Sequence, residues 1–136
     1  GDVQGADSLL NTAIPIFQKV GSRFGEANCI WSLGKFKFQI GNNQEADSLF
    51  KAAIPMFRQA GSRLGEANCI RNLGDIRFRT GDNQGADSLF NDAITIFQQI
   101  GSRLGEAKCI RSIGDIRFRI GDIQGAESLL NTAIPL

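Results

Sequence analysis

Three cysteines at equal spacing are the residues of this sequence best suited to do chemistry. Cys29, Cys69 and Cys109 each follow Gly-Glu-Ala-Asn or Gly-Glu-Ala-Lys and precede an isoleucine. Such a set could bind a metal ion, form disulfides or supply nucleophiles. A zinc site needs two close ligand pairs, and the sequence places no such pair around these cysteines. Whether the cysteines serve chemistry or packing therefore depends on the secondary structure that carries them.

The other groups that enzymes use are missing or incomplete. The sequence contains no His and no Tyr, which removes the commonest general base from any catalytic scheme. Its glycines and acidic residues complete neither a phosphate-binding loop nor a calcium loop. We therefore expect a protein that is not an enzyme, with no cofactor and no metal site.

Composition and charge limit the partners. With 42% hydrophobic and 21% charged residues in a chain of 136, the sequence predicts a folded protein. A net charge of +1 gives no general attraction to nucleic acid or to an anionic membrane. Apolar runs are too short for a transmembrane helix, and we expect no signal peptide. Together with cysteines expected to be free, this favours a cytoplasmic location.

The cysteine spacing is one sign of a 40-residue internal repeat. Residues 41–80 and 81–120 are identical at 28 of 40 positions. A repeat of this length is a supersecondary element that has to stack on its neighbours to bury its apolar face. Glycine followed by Ser, Asp or Asn marks the breaks, because glycine ends one helix and the polar side chain caps the next. In the middle of the chain this predicts helices over 63–79 and 83–100.

The packing positions of the repeat form a pattern that is known from a protein family. Counted from Ala67 as the first position, the small and large packing positions are occupied by Leu73, Gly74, Ala86, Phe90 and Ala93. This pattern resembles the tetratricopeptide repeat (TPR) in a long variant, similar to the repeats of G-protein signalling modulators and the repeat tails of NOD-like (STAND) NTPases. The resemblance implies an all-α solenoid of helical hairpins, a right-handed superhelix of seven antiparallel helices.

We expect residues 1–136 to form a single solenoid. Its divisions are a partial repeat over 1–26, full repeats over 27–66 and 67–106, and a partial repeat over 107–136. On this arrangement Cys69 lies on the apolar face of its helix, and equivalent cysteines are too far apart for a disulfide. The three cysteines are therefore predicted to be core residues.

A stripe of charged residues predicts a binding surface. In the TPR family the first helix of each repeat lines a concave groove that binds a peptide or helix, and the resemblance implies the same here. Spacing of i, i+4 and i+8 puts residues of these helices on the stripe opposite the core. The candidate groove residues are Trp31, Lys35, Arg71, Asp75, Arg79, Arg111, Asp115 and Arg119, and the resemblance adds Asn72.

Two interpretations of this stripe stay open. A mildly basic groove with an exposed Trp31 as apolar anchor predicts an acidic protein or peptide as partner. The alternative is a row of salt bridges along each helix. Beside the stripe, Arg77 and Arg117 face inward and are expected to reach a carboxylate such as Asp47 or Asp87.

A second functional hypothesis rests on the two ends of the solenoid. Neither end is polar enough to be a terminal cap, so copies of the chain could join into a homo-oligomer, fibre or lattice. The candidate assembly residues are Leu9, Leu10, Ile14 and Phe17 at one end and Leu129, Leu130 and Ile134 at the other. Their apolar area would favour association by leaving water.

Overall fold

A computed structural model of the protein describes residues 3–121 and 123–134. Within these ranges the chain forms seven helices and no strand. The helices are α1 (Val3–Lys19), α2 (Arg23–Gln39), α3 (Asn43–Gln59), α4 (Arg63–Arg79), α5 (Asn83–Ile100), α6 (Arg103–Arg119) and α7 (Ile123–Ala133). The predicted all-α class is confirmed, and the predicted bounds of α4 and α5 agree with those observed.

A glycine with positive φ stands at each of the six turns, with φ between 75° and 90°. After α1, the Ser22 N–H donates to the carbonyl of Phe17 at 2.9 Å, and the Gly21 N–H donates to that of Gln18 at 3.2 Å. These two bonds satisfy the last carbonyls of the helix. The Ser22 hydroxyl then accepts a hydrogen bond from the Gly25 N–H at 3.1 Å and caps α2. Such short turns reverse the chain and make each pair of helices a hairpin.

The chain divides into two compact units, and the division falls within α4. In the N-terminal unit, residues 1–69, α2 packs against both α1 and α3. In the C-terminal unit, residues 70–136, α6 packs against both α5 and α7. The largest fully buried side chains in these cores are Phe50, Phe57, Phe90 and Phe97.

The first helices of the repeats are α2, α4 and α6. Glycines inside α2 and α4 make room for two of these rings. A Cβ on Gly34 would lie 2.7 Å from Cε1 of Phe50, and a Cβ on Gly74 would lie 2.7 Å from Cε1 of Phe90. Real Cβ atoms do not approach a ring carbon so closely without overpacking. Gly34 therefore lets α3 pack closely on α2, and Gly74 lets α5 pack closely on α4.

The cysteines are core residues, as the repeat predicts. Cys29, Cys69 and Cys109 are all free and buried. Burial raises the pKa of Cys69 and of Cys109 to about 12. Among the described residues, no group of three or more His, Cys, Asp or Glu side chains could hold a metal ion. None of the described helices is long and apolar enough to cross a membrane.

Candidate peptide-binding groove

Four predicted groove residues of the C-terminal unit gather around the carboxylate of a fifth, Asp75 on α4. Its Oδ2 lies 3.8 Å from Nη1 of Arg71, one helical turn earlier. Asn72 donates a hydrogen bond to the same side chain, and the charges of Arg79 and of Arg111 on α6 act on it. The structure therefore brings together residues from two first helices, and we call these five residues the Asp75 cluster.

Burial and charge oppose each other at Asp75. Burial raises the pKa of the Asp75 carboxyl, and the Arg71 charge, the Asn72 hydrogen bond and the charges of Arg111 and Arg79 act against this rise. Three guanidinium groups thus surround one carboxylate, which leaves the cluster positive. Within the described part of the chain, the buried Nε of Arg71 has no hydrogen-bond acceptor. A buried donor without an acceptor is costly, so this contact network leaves the Arg71 side chain incompletely satisfied.

Three predicted groove residues of this unit are open to solvent. Two of them, Arg79 and Arg111, belong to the Asp75 cluster, and the third is Asp115. Arg111 and Asp115 are four residues apart and so lie on one side of α6. We call Arg111, Asp115 and Arg119 the α6 stripe.

Arg119 has a different environment from the rest of the stripe. Its guanidinium carbon lies 3.4 Å from the centroid of the Phe78 ring. Its Nε donates to Oδ1 of Asn83 at 3.0 Å, and its Nη2 donates to the carbonyl oxygen of Phe78. The guanidinium therefore joins α6 to the last turn of α4. This contact was not predicted from the sequence, although Arg119 recurs one repeat after Arg79 at a position that could have indicated a role between repeats.

The inward-facing arginine of α6 lies where it was expected. Nη2 of Arg117 is 3.3 Å from Oδ1 of Asp87 on α5. This confirms the prediction for that pair. In the N-terminal unit the equivalent position carries Lys37, whose Nζ is 3.7 Å from Asp7 and 3.3 Å from Glu45. A cation on the first helix thus links to a second helix in both units.

The predicted anchor in the N-terminal unit is only half-buried, not freely exposed. Nζ of Lys35 lies 3.7 Å from the Trp31 ring centroid. Spacing of i, i+4 brings the two side chains together on α2, and the ring face attracts the cation. One face of the Trp31 ring is therefore covered by Lys35.

The candidate assembly residues differ in how open they are. In the N-terminal unit Leu9 is 73% exposed, whereas the ring of Phe17 packs directly on Gly25 inside the hairpin. In the C-terminal unit Ile134 is 79% exposed. The remaining four are partly exposed: Leu10, Ile14, Leu129 and Leu130. Open apolar area therefore exists in both units, and Phe17 is itself partly exposed although its ring contacts Gly25.

Comparison with known proteins decides the family. A sequence profile described as Tetratricopeptide repeat matches residues 26–99 and 65–136. The chain belongs to the tetratricopeptide repeat family. No curated protein matches the sequence of this TPR protein.

Solved structures with the same fold are distant in sequence. BtubC (BKLC) from P. vanneervenii has a TM-score of 0.85 at 19% identity, covering 99% of this chain and 56% of its own. A Rap protein complexed with Competence and Sporulation Factor has a TM-score of 0.86 at 17% identity, covering 98% and 37%. The Rap conjugation gene regulator of plasmid pLS20, in complex with the Phr* peptide, has a TM-score of 0.78 at 17% identity, covering 100% and 40%. The TPR protein thus spans about half or less of these chains, and the likeness concerns the fold alone.

Proposed function

We propose that this TPR protein is a non-catalytic protein-interaction module that binds an acidic peptide or helix at the Asp75 cluster and the α6 stripe. The observation that carries the proposal is the excess of positive charge at the cluster, where Arg71, Arg79 and Arg111 act on the single carboxylate of Asp75. The side chains of Arg79 and Arg111 are exposed and open to a ligand. A fold of this kind accommodates a peptide in the Rap conjugation gene regulator.

A carboxylate of the ligand fits this cluster chemically. Nη1 of Arg71 lies 3.8 Å from Oδ2 of Asp75, which is long for an ion pair. A carboxylate of the ligand can therefore compete with Asp75 for the N–H donors of Arg71. Charge-assisted hydrogen bonds of this kind are shorter and stronger than neutral ones, worth about 1.5–3 kcal/mol each. Arg111 is exposed and supplies a second fork from the neighbouring first helix.

The test compares two fluorescent peptides, one rich in Leu and Glu and the other with Gln in place of every Glu. Fluorescence anisotropy measures the affinity of each for the full chain. We expect the acidic peptide to bind more tightly, and the double variant Arg71→Gln/Arg111→Gln to weaken it about tenfold or more, which corresponds to about 1.4 kcal/mol. Higher salt should weaken it as well.

A matched control removes the same charge elsewhere. Lys51 and Arg103 are exposed cations outside the cluster, so Lys51→Gln/Arg103→Gln should leave the affinity within about twofold, as surface charges contribute little. Equal binding of the two peptides would refute the proposal. So would equal losses in the two double variants, because the effect would then be one of net charge alone.

Self-assembly is the second candidate function, favoured by the open apolar side chains Leu9 and Ile134, exposed by 73% and 79%. Light scattering over a range of concentrations tests it. If copies assemble into an oligomer or polymer through these ends, the mass should rise with concentration. The variant Leu129→Lys/Leu130→Lys should then remain monomeric with its helicity intact. A wild-type chain that is monomeric at every concentration would rule this candidate out.

A further inference from the structure

A largely apolar cavity of about 510 Å³ opens on the surface of α6 and α7 in the C-terminal unit. Leu104 and Ala107 of α6 line one side, and Leu130, Ala133 and Ile134 in and just after α7 line the other. Two cations, Lys108 and Arg111, complete the lining. A concave apolar surface with a few charged groups is the usual form of a binding site.

Side chains equivalent to those of the cavity are covered one repeat earlier. Leu130 corresponds to Phe90 and Ala133 to Ala93, 40 residues before each. Phe90 and Ala93 are fully buried, and α5, which carries them, packs against α6. Leu130 and Ala133 are partly exposed. The cavity is therefore the open copy of a surface that is buried in the same unit.

Two further residues of the C-terminal unit, outside the cavity lining, show the same relationship. Phe78, whose ring lies under the guanidinium of Arg119, corresponds to Phe118, which is 65% exposed. Asp87, which pairs with Arg117 at 3.3 Å, corresponds to Glu127, which is exposed. Phe118 and Glu127 thus repeat, 40 residues later, the aromatic ring and the carboxylate that Arg119 and Arg117 engage in this unit.

We propose that the surface formed by the cavity, Phe118 and Glu127 docks an amphipathic helix of a partner protein with the chemistry of α6. Such a helix has an apolar stripe to fill the cavity and two arginines, spaced i and i+2, near its C-terminal end. One arginine pairs with Glu127 and the other stacks on Phe118. The site continues the interface between α6 and the helices before it, and it selects a basic helix end where the Asp75 cluster selects acidic groups.

The probe is a fluorescein-labelled peptide with the sequence of residues 101–120, kept reduced and titrated with the full chain. Anisotropy should show saturable binding. Glu127→Arg should weaken it at least tenfold, and a peptide carrying Arg117→Glu should recover most of that loss on the Glu127→Arg chain. Phe118→Ala should weaken binding several-fold, and because this ring is 65% exposed, the variant should fold normally. Asp92→Arg, which reverses an exposed carboxylate of α5, serves as the matched control and should leave the affinity unchanged.

Three outcomes would overturn the proposal. The peptide fails to saturate the chain, or Glu127→Arg and Asp92→Arg weaken binding equally, or the charge exchange restores nothing. A fourth would assign the surface to a second copy of the chain instead: Ala133→Arg dissolves an oligomer seen by light scattering, and the peptide does not compete with it. The acidic peptide tested above should bind normally to the Phe118→Ala chain, so that a failure at one site is distinguishable from a failure at the other.

Discussion

Arg119 stacks on Phe78, with its guanidinium carbon 3.4 Å from the ring centroid. The same group donates hydrogen bonds to the Phe78 carbonyl and to Oδ1 of Asn83. One side chain therefore contacts the ring and the carbonyl of Phe78, at the end of α4, and the side chain of Asn83, at the start of α5. A cation is favourable at the C-terminal end of a helix, where unpaired carbonyls carry partial negative charge. Arg119 therefore stabilises the packing of α6 on α4 in the C-terminal unit.

The first prediction separates this stabilising role from ligand binding. Arg119→Ala should lower the free energy of unfolding by about 1–2 kcal/mol, because the cation–π contact and two hydrogen bonds are lost. Arg119→Lys should recover only part, since an ammonium cannot stack and form the same fork. Urea unfolding followed by circular dichroism measures both, with the exposed Arg103→Ala as control. If Arg119→Ala matches this control in stability yet weakens acidic-peptide binding tenfold, Arg119 is a ligand residue instead.

The second prediction concerns Gly74, where a Cβ would lie 2.7 Å from Cε1 of Phe90. Gly74→Ala should cost about 1–3 kcal/mol of stability through overpacking. Phe90→Leu, the residue found at the equivalent positions 10 and 130, removes the ring that clashes. The double variant should therefore be less destabilised than the sum of the two single variants, as measured in a double-mutant cycle. Strict additivity would show that the ring and the glycine do not interact.

Helix positions could be predicted from the sequence because their signals are local. The bounds of α4 and α5 follow from Gly61, Gly81 and Gly101, which adopt positive φ, and from the polar residues after them. The cysteines could be placed in the core because each recurs at the same apolar-face position of its own helix, α2, α4 or α6. Such predictions need only the periodicity of a helix and the preferences of glycine.

The partners of the groove residues could not be predicted in the same way. Spacing places Arg71 and Arg119 on equivalent stripes of α4 and α6, opposite the core. It does not give the distance between the two helices. Asp75 gains Arg111 from the neighbouring helix, while Arg119 is engaged by Phe78. Trp31 carries Lys35 on its face. Each of these outcomes depends on rotamers and on packing between helices, which periodicity leaves open.

A third prediction tests the role of the cysteines with Ellman's reagent. Burial raises the pKa of Cys69 and Cys109 to about 12, and only the thiolate attacks a disulfide. Both should be nearly unreactive in the folded chain at pH 8, and all three thiols should react promptly in urea. Cys29 is 7% exposed and should react before the other two. A Ser88→Cys variant provides an exposed thiol as the positive control, and fast native reaction of Cys69 would contradict its burial.

The last prediction concerns Asp75 and the pH dependence of stability. Burial raises the pKa of the Asp75 carboxyl above its usual value of 3.8 in the folded chain. At pH values between the usual pKa and the raised pKa of the folded chain, the folded chain holds a proton that the unfolded chain has lost. The free energy of unfolding therefore falls as pH rises through this window. Asp75→Asn cannot titrate. The stability of the wild type minus that of Asp75→Asn should therefore be largest below about pH 4, decrease as pH rises through the folded pKa, and then stay level. Urea unfolding at a series of pH values from 3 to 7 measures this difference, and Asp92→Asn, at an exposed carboxylate, controls for surface charge. A difference that grows with pH would mean that the three surrounding arginines outweigh burial at Asp75.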